Sequence, residues 1–316
     1  MGNPLISAVD LVKYFETNNG VVHAVDHVDL AIPAGKTLGV VGESGCGKTT
    51  LGRCMINLIP ATSGQVMING ENILDKKYSK RQLRKDTQII FQDPYSSLDP
   101  RKSVADLIAE PLISNKICSK AERRERVAEI MKVVGLEQRL AGSYPHELDG
   151  GRRQRVGVAR ALVIEPKFVV CDEPVSALDV SIQAQILNLM MDIQDQRGIA
   201  YMFITHDMSV VKHISQELMV MYLGEVVEQA EKSELFLHHC HPYTKALLAA
   251  VPIPDASRRN KKKELIIGEV TSPIDPKPGC RFCTRCPYAT EECKQPNLPL
   301  REVSPGHLVR CCHPLV

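Results

Sequence analysis

The sequence predicts an α/β protein with a largely parallel sheet and a small cysteine-rich segment at its C-terminal end. Apolar stretches typical of buried strands alternate along the chain with periodic, charged stretches typical of helices. A glycine-rich loop joins one such strand to one such helix, and six cysteines crowd the residues after 279. The first two observations predict the fold class, and the third sets the C-terminal segment apart from it.

The predicted elements follow one another in that alternating order. We predict strands within 20–41, a mostly helical stretch at 101–165, a buried strand at 168–173, a helix at 180–196, a strand at 201–207, and two strands within 217–229 that turn at Gly224. Because parallel neighbours need a crossover connection, the intervening helices indicate a parallel sheet. No internal repeat is visible, so the chain carries one copy of this unit.

The composition excludes several functional classes. The 316 residues suffice for one large α/β domain and a smaller appendage, and 44% hydrophobic residues allow a sizeable core. A net charge of +2, from 39 basic and 37 acidic residues, argues against nucleic-acid binding through bulk charge. No apolar run approaches the roughly 20 residues that cross a bilayer, and no secretory signal is visible. We therefore expect a soluble, cytoplasmic chain whose membrane role comes through partners.

The sequence changes in character after Val251. The stretch VPIPDASRRNKKKE is rich in proline and then in basic residues, which predicts a solvated linker, with contact to anionic lipid as the alternative. The remaining residues are few and rich in proline and cysteine, so they cannot build a core unaided.

A phosphate-binding loop is the first motif with a chemical meaning. Residues 42–49 read GESGCGKT and fit the pattern G-x-x-x-x-G-K-[ST] between a strand and a helix. We expect Lys48 to reach the β- and γ-phosphates and Thr49 to ligate Mg²⁺. The predicted nucleotide contacts are Gly42, Glu43, Ser44, Gly45, Cys46, Gly47, Lys48, Thr49 and Thr50. The motif alone implies a nucleoside triphosphate without separating kinases, GTPases and motors.

Cys46 lies inside this loop, close to the predicted helix N-terminus. Such a position lowers the pKa of a thiol and predicts a reactive cysteine that ATP protects. The alternative is a small residue tolerated at a variable position of the motif, and we favour that interpretation.

A pair of acids ends the predicted strand at 168–173. An apolar strand that runs into Asp172 and Glu173 delivers both carboxylates to the edge of a parallel sheet where phosphates bind. Asp172 is suited to holding Mg²⁺, and Glu173 is suited to polarising the attacking water as a general base.

The ordered set of motifs resembles the ABC ATPase family. Between the phosphate loop and the acid pair lie Gln92 in IIFQDP and the segment LDGGRRQRVGVARAL, and after them come SALD at 176–179 and His206 in ITHD. The resemblance covers about residues 5–255. It implies a P-loop NTPase cassette with a RecA-like core, an antiparallel β subdomain and a helical subdomain at about 95–165. Residues 1–255 would form the nucleotide-binding domain and 256–316 the cysteine-rich extension.

The resemblance also assigns roles residue by residue. Gln92 would sense the γ-phosphate and Mg²⁺, so that Thr49, Gln92 and Asp172 form the magnesium set. Lys48, Gln92, Glu173 and His206 would form the catalytic set, with His206 contacting the γ-phosphate. Asp149, Gly150 and Gly151 of the signature and Asp179 would reach ATP or the partner cassette. Phe15, in preference to Tyr14, would stack on adenine.

The resemblance further implies partners. Two cassettes sandwich each ATP in this family, so a second ATPase subunit is expected in trans. The segments QDPYSSLDPR, EPVSALDVSIQAQILNLM and HPYTKALL look like the ATP-binding subunits of dipeptide, oligopeptide and nickel importers. Those subunits pair as two related chains under two permeases and a solute-binding protein, at the cytoplasmic face of the membrane. The function implied is ATP hydrolysis that powers import of a small solute, without nucleic acid.

The signature departs from the family pattern Leu-Ser-Gly-Gly-Gln. Here Asp149 and Arg152 stand in the serine and glutamine positions. Aspartate caps a helix as well as serine does, so the local fold is expected to persist. Its carboxylate would nevertheless oppose the triphosphate of the partner, unless Arg152 offsets it. We therefore hypothesise one slow and one fast ATP site in the assembled pair.

The C-terminal cysteines predict a metal site in a cytosolic protein. The spacing Cys280-x₂-Cys283-x₂-Cys286-x₆-Cys293, followed by Cys311 and Cys312, offers soft ligands for Zn²⁺ or a [4Fe–4S] cluster. The segment resembles the C-terminal extension of peptide-importer ATPases. On that match Cys280, Cys286, Cys293 and Cys311 are the ligands, and the cluster is favoured over zinc.

Two other functions remain open at this point. A non-transport ABC ATPase that works on DNA or ribosomes would carry two fused cassettes or a long coiled-coil insertion, and neither is visible. A metal or redox module with a vestigial cassette is disfavoured by the intact Lys48, Asp172, Glu173 and His206.

Overall fold

The computed structural model of the chain describes residues 4–75, 77–251, 272–296 and 298–315. These residues form two compact units. The first unit contains the described residues up to Ile6, Ile32–Lys36 and Met67–Met202; the second contains Ser7–Ala31, Thr37–Val66 and the described residues from Phe203 onward. The predicted linker after Val251 lies outside the described residues.

Twelve strands and ten α-helices make up the described part of the chain. The strands are β1 (Ile6–Thr17), β2 (Gly20–Ile32), β3 (Thr37–Val41), β4 (Ser63–Ile68), β5 (Glu71–Asn72), β6 (Thr87–Ile90), β7 (Phe168–Asp172), β8 (Ala200–Thr205), β9 (Glu217–Tyr222), β10 (Glu225–Glu231), β11 (Arg301–Ser304) and β12 (His307–Val309). The α-helices are α1 (Lys48–Met55), α2 (Lys80–Asp86), α3 (Pro94–Ser97), α4 (Val104–Ser114), α5 (Lys120–Val133), α6 (Gly150–Leu162), α7 (Val180–Arg197), α8 (Met208–Ile214), α9 (Lys232–His238) and α10 (Pro242–Ala250). Short 3-10 helices span Gln138–Gly142, Pro145–Glu147 and Glu291–Lys294.

The first unit is built around a parallel strand pair and a group of helices. Strand β7 is buried along its whole length and pairs in parallel with β6, with Ile90 opposite Cys171. Helix α6 packs against β6 and against α3, α4 and α5. The predicted helical stretch at 101–165 therefore contains α4, α5 and α6 with two 3-10 turns between them.

Helix boundaries in this unit follow local sequence signals. Helix α5 begins at a reciprocal capping box, in which the Ser119 side chain accepts from the Glu122 N–H and the Glu122 carboxylate accepts from the Ser119 N–H. Helix α7 ends at Gly198, which has the left-handed conformation (φ 65°) that glycine adopts at little cost.

The second unit carries the strand that leads into the phosphate loop. Strand β3 is fully buried and pairs in parallel with β9, and α8 packs on β3. Strands β9 and β10 form an antiparallel hairpin whose turn residues, Leu223 and Gly224, have φ values of 44° and 87°. Two positive φ values match the twist of a tight hairpin, and they place the turn at the predicted glycine.

The cysteine-rich segment completes a sheet of the second unit. Strand β12 pairs antiparallel with β10, with Val309 opposite Glu228, and β11 pairs with β12. The segment therefore packs against other elements of the second unit: Val309 lies opposite Glu228 of β10, and Phe282 contacts the rings of Tyr222 and Tyr243. Phe282, Val309 and Cys311 are all buried.

A second sheet contributes the N-terminal strands. Strands β2, β1 and β4 are neighbours in that order in the second unit, and the end of β4 pairs antiparallel with β5 in the first. In the parts of the chain that the structure describes, no helix is long and apolar enough to cross a membrane.

Candidate nucleotide-binding site

The predicted phosphate loop joins β3 to α1 in the second unit. Lys48 begins α1 and is 5% exposed, and its ammonium donates to the carbonyl oxygens of Gly42 (2.7 Å) and Glu43 (2.8 Å). These two bonds fold the loop around the lysine. No acidic residue lies in the first turn of α1, which leaves the positive end of this helix dipole available to an anion.

Two glycines of the loop leave no room for a side chain. A Cβ atom on Gly42 would lie 2.2 Å from the carbonyl oxygen of Met221, and one on Gly47 would lie 2.0 Å from that of Ala24. Gly47 also has a φ of 107°, which L-residues rarely adopt. Glycine is therefore required at positions 42 and 47 by close backbone packing, as well as by the approach of the backbone to phosphate.

Cys46 does not have the environment of a reactive thiol. It is 3% exposed, and burial raises its pKa despite the nearby Lys48 ammonium. The lowered pKa that its place near a helix N-terminus suggested is wrong, because burial of the thiolate outweighs the attraction of the Lys48 ammonium. Its carbonyl oxygen accepts a hydrogen bond from the N–H of Gly224 (2.8 Å), so this position supports the loop.

The two aromatic candidates for adenine stacking have different surroundings. Tyr14 stacks on His23 with ring centroids 4.0 Å apart, and its hydroxyl donates to Asp26 over 2.5 Å. Phe15 is exposed, and the Lys13 ammonium lies 4.6 Å from its ring centroid. The Tyr14 side chain is engaged by contacts within the protein, which favours Phe15 as the residue that stacks on adenine. Adenine stacking by Phe15 stays a prediction.

The predicted base and the predicted γ-phosphate sensor meet at the end of the parallel strand pair. Gln92 and Glu173 each lie two residues beyond the register partners Ile90 and Cys171. The Gln92 side-chain amide donates to a carboxylate oxygen of Glu173 over 3.0 Å. Residues that share a register position at the carboxyl ends of parallel strands lie side by side, so the strand pairing brings these two together.

Glu173 has an unusual backbone. Its φ is 47°, in the left-handed region that a non-glycine residue occupies at a cost. The side chain and the N–H of Ser176 both donate to its carbonyl oxygen, over 3.1 and 3.3 Å. The turn after β7 thus holds the backbone of Glu173 in a strained conformation, and Asp172 just before it is buried.

The signature segment is the N-terminus of α6, in the first unit. The Asp149 carboxylate caps the helix by accepting the N–H of Arg152 (2.7 Å), as expected from the serine it replaces. The Arg152 guanidinium lies 3.5 Å from the same carboxylate. A Cβ on Gly151 would lie 2.9 Å from Ile182 of α7, so this helix start packs closely.

The remaining predicted residues lie at helix starts. Asp179 is the N-cap residue of α7 in the first unit, and His206 follows β8 in the second unit, one residue before the N-cap of α8. Both are exposed. The predicted residues of the second unit are Phe15, Gly42–Thr50, His206 and the cysteines; those of the first are Gln92, Asp149–Gly151, Asp172, Glu173 and Asp179.

The six C-terminal cysteines are brought together. They line one small cavity with His241, Phe282 and His313, and every one of them is a free thiol. The cysteines concerned are Cys280, Cys283, Cys286, Cys293, Cys311 and Cys312. Burial raises the pKa of Cys280 to about 12 and that of Cys311 to about 11. These thiols therefore stay protonated at neutral pH unless a cation compensates the thiolate charge.

A smaller cluster of possible ligands has another explanation. Within the described parts of the chain, Glu228, Cys240 and His307 form the group of metal-type ligands whose donor atoms all lie within 4.8 Å of one another. The Glu228 carboxylate already accepts the N–H groups of Cys240 (2.6 Å) and His241 (3.1 Å) and contacts His307 Nε2 at 2.8 Å. We interpret this cluster as a buried ion pair that joins β12 to β10. We also interpret the four consecutive residues His238–His241 as structural and not as ligands of one metal ion.

Two residues beside the loop were missed in the sequence. The Tyr243 hydroxyl accepts the N–H of Glu43 over 2.8 Å, and the Arg285 guanidinium binds the Glu43 carboxylate through two nitrogens. The sequence gives Tyr243 only as part of HPYTKALL, and Arg285 only as part of the cysteine-rich segment, and both segments resemble peptide-importer ATPases. Nothing in either pattern indicates a contact with a loop some 200 residues away.

Comparison with known proteins decides the family. The sequence model of the family described as ABC transporter matches residues 25–176, and that of the oligopeptide/dipeptide transporter C-terminal region matches residues 227–293. The chain is 46% identical over 312 residues to the oligopeptide transport ATP-binding protein AppF of Bacillus subtilis, covering 96% of this chain and 95% of that protein. The chain belongs to the ABC transporter family. It is also 49% identical over 319 residues to the oligopeptide transport ATP-binding protein OppF of Salmonella typhimurium, covering 97% and 95% of the two chains.

Solved structures agree with this family. The cbiO1 protein of Clostridium perfringens, part of the ABC transporter complex cbiONQ, superimposes with a TM-score of 0.66 at 28% identity, covering 74% of this chain and 91% of that one. A dimeric ATP-binding cassette, MJ0796, bound to ADP and Pi, gives 0.64 at 28% identity and covers 72% and 98%. The prediction of an α/β ABC cassette that binds and hydrolyses ATP is confirmed. The two alternatives, a non-transport ABC ATPase and a metal or redox module with a vestigial cassette, are therefore set aside.

Proposed function

We propose that the chain is the ATP-hydrolysing subunit of an importer for dipeptides, oligopeptides or similar small solutes. The observation that supports this most directly is the similarity to oligopeptide and dipeptide transport ATP-binding proteins over nearly the whole of both chains. The similarity includes the cysteine-rich region, which the cassette fold alone does not require. We assign residues 1–255 to the nucleotide-binding domain, with its helical subdomain at about 95–165, and 256–316 to the extension.

The residues divide the work of hydrolysis among themselves. Lys48 and the N–H groups of the phosphate loop bind the triphosphate, and Phe15 stacks on adenine. Glu173 takes a proton from the attacking water, Gln92 orients Glu173, and His206 contacts the γ-phosphate. Thr49, Gln92 and Asp172 would hold Mg²⁺, which neutralises phosphate charge when it is bound. The hydrogen bond from Gln92 to Glu173 and the buried Lys48 support these roles.

The subunit acts within a larger assembly at the cytoplasmic face of the membrane. We propose a second ATPase chain as partner, in a heterodimer in which Asp149, Gly150, Gly151 and Asp179 face the nucleotide of the other subunit. Two permeases and an extracytoplasmic solute-binding protein complete the complex. The dimeric cassette bound to ADP and Pi supports the paired arrangement.

Uptake of labelled peptides tests the proposed function. Cells that carry Glu173→Gln as their sole copy of this chain should lose uptake of one size class among labelled dipeptides, tripeptides and pentapeptides. Cells with Glu125→Gln, an exposed glutamate of α5 outside the site, are the matched control and should retain it. Unchanged uptake of every peptide in the Glu173→Gln cells would contradict a peptide importer.

We further propose that Cys280, Cys286, Cys293 and Cys311 bind a [4Fe–4S] cluster, with Zn²⁺ as the alternative. All six tail cysteines line one small cavity, and thiolates are ligands that suit either group. A bound group of either kind would tie the segments 280–286, 293 and 311 together.

Metal analysis distinguishes the two groups. Protein purified without oxygen should show a broad absorption band near ~400 nm and about four irons per chain if the cluster is present. Colourless protein with about one zinc per chain would show that the site holds a structural zinc ion and not an iron–sulfur cluster. Protein with neither metal after anaerobic purification would contradict a metal site.

A further inference from the structure

The cysteine-rich segment touches the phosphate loop through an ion pair. Arg285 lies between two of the clustered cysteines, and its two terminal nitrogens contact the two carboxylate oxygens of Glu43 at 2.7 and 3.0 Å. The exposed fractions of the two side chains are 6% and 24%. This two-point geometry in a largely buried place is stronger and more specific than a surface ion pair.

The surroundings of Arg285 fix its guanidinium in this position. The group lies 5.8 Å from the ring centroid of Tyr222 and 6.0 Å from that of Phe282, and it also donates to the Tyr222 hydroxyl over 3.2 Å. Its Nε is buried and has no hydrogen-bond partner among the described residues. Burying an arginine with one nitrogen unpaired costs folding free energy. The ion pair with Glu43 is the main interaction that offsets this cost.

Glu43 in turn is held at three points. Its carboxylate binds Arg285, its N–H donates to Tyr243, and its carbonyl oxygen accepts from Lys48 (2.8 Å). Tyr243 is fully buried and packs edge-on against Tyr222, with ring centroids 4.8 Å apart. The start of the phosphate loop is thus connected on one side to Lys48 and on the other to residues outside the motif.

The charge of Glu43 matters because this loop binds an anion. A carboxylate within the loop repels a triphosphate, and partial burial strengthens that repulsion by lowering the local dielectric constant. Arg285 cancels the charge while its two bonds keep the carboxylate directed to the segment that carries the cysteines. Loss of Arg285 alone would therefore leave an unpaired negative charge in the loop.

We propose that Arg285 is a positioning residue of the nucleotide site, which neutralises Glu43 and thereby lets the cysteine-rich segment set the affinity for ATP. The inference rests on the ATP-binding role of the loop. It adds a residue that lies outside the cassette motifs and acts on the nucleotide only through Glu43. It also gives the extension a role in ATP binding that is separate from holding a metal.

A double-mutant cycle on the full chain tests the proposal. We would measure the ATP Kd by calorimetry, under conditions without turnover, for wild type, Arg285→Gln, Glu43→Gln, the double variant and Arg285→Lys. Lys48→Ala is the control for loss of binding. Arg301→Gln is the matched control, because Arg301 is a tail arginine that donates to the carbonyl oxygens of Cys311 and Cys312 and not to the loop. Metal content and thermal unfolding are recorded for each preparation, so that affinities are compared at equal loading and folding.

The proposal predicts that Arg285→Gln weakens ATP binding by about fivefold at low ionic strength, and by less at high salt. In the Glu43→Gln background the same change should have less than about a twofold effect. Arg285→Lys, which keeps the charge, should retain most of the affinity, and Arg301→Gln should bind as wild type does.

Two results would overturn the inference while leaving ATP binding intact. Arg285→Gln could bind ATP as wild type does, or it could be equally weak with and without Glu43→Gln, which would make the contact a structural clamp without an electrostatic role. Failure of the wild-type chain to bind ATP, or binding by Lys48→Ala at the wild-type level, would instead remove the proposed function and this inference with it.

Discussion

The Gln92 side-chain amide donates a hydrogen bond to a carboxylate oxygen of Glu173 at 3.0 Å, across the ends of two parallel strands. A glutamine at position 173 keeps an oxygen for this bond but cannot take a proton from water. We therefore predict that Glu173→Gln binds ATP but lowers the hydrolysis rate by about 10²-fold or more. Phosphate release and ATP-dependent dimerisation, measured on the same preparation, check this. Normal turnover in this variant would remove Glu173 from the role of base.

Substitutions in the signature segment are predicted to raise the ATPase rate, whereas Glu173→Gln is predicted to lower it. Asp149 caps α6, and its carboxylate lies 3.5 Å from the Arg152 guanidinium. Asp149 is exposed and Arg152 is half-buried. Asp149→Ser combined with Arg152→Gln keeps a capping oxygen but removes the carboxylate. We expect the ATPase rate of the assembled complex to rise about threefold, because one negative charge is withdrawn from a helix N-terminus that we propose faces ATP. Asp149→Asn, which also caps without charge, should behave similarly, and unchanged rates in both would disprove the slow-site hypothesis.

A buried ion pair predicts a dependence of stability on pH. The hydrogen bond to Glu228 raises the pKa of His307 above its usual value of about 6.5. The pair therefore stabilises the fold fully below about pH 6.5, and its contribution is lost as the pH rises through the raised pKa. We expect the unfolding temperature of the wild type to fall as the pH rises from about 6.5 through the raised pKa of His307. The unfolding temperature of His307→Gln should vary less over the same pH range. Equal pH profiles for the two proteins would show that the pair does not titrate with folding.

Tyr243 gives a test of the support beneath the phosphate loop. Tyr243→Phe removes the acceptor of the Glu43 N–H and leaves that donor unpaired, at an expected cost of about 1–3 kcal/mol in the free energy of unfolding. Tyr201→Phe is the matched control, since the Tyr201 hydroxyl is buried without a hydrogen-bond partner among the described residues. Denaturant unfolding should therefore show a loss for Tyr243→Phe and none for Tyr201→Phe. Equal stability of the two variants would show that the Tyr243 bond contributes nothing.

Local patterns in the sequence were sufficient for the cassette and insufficient for the extension. The strand before Gly42, the strand before Asp172 and the turn at Gly224 all lie where periodicity and glycine placed them, because those signals are local. The contact of Gln92 with Glu173 follows once β6 and β7 pair. The pairing of β12 with β10 and the contact of Arg285 with Glu43 join distant segments. Neither has a periodic signal, and both depend on tertiary packing.

The choice among the cysteines is open to a direct comparison. All six line the same cavity, so the proposal of four ligands depends on the family pattern, which omits Cys283 and Cys312. We predict that serine at any of the four proposed ligands, Cys280, Cys286, Cys293 or Cys311, removes the bound metal. Serine at Cys283 or Cys312 should leave it in place. A metal that binds only the folded chain stabilises it, so the first set should also unfold at lower temperature than the second. Iron and zinc analysis of anaerobic preparations provides the measurement. Metal loss in Cys283→Ser as complete as in Cys286→Ser would require a different ligand set.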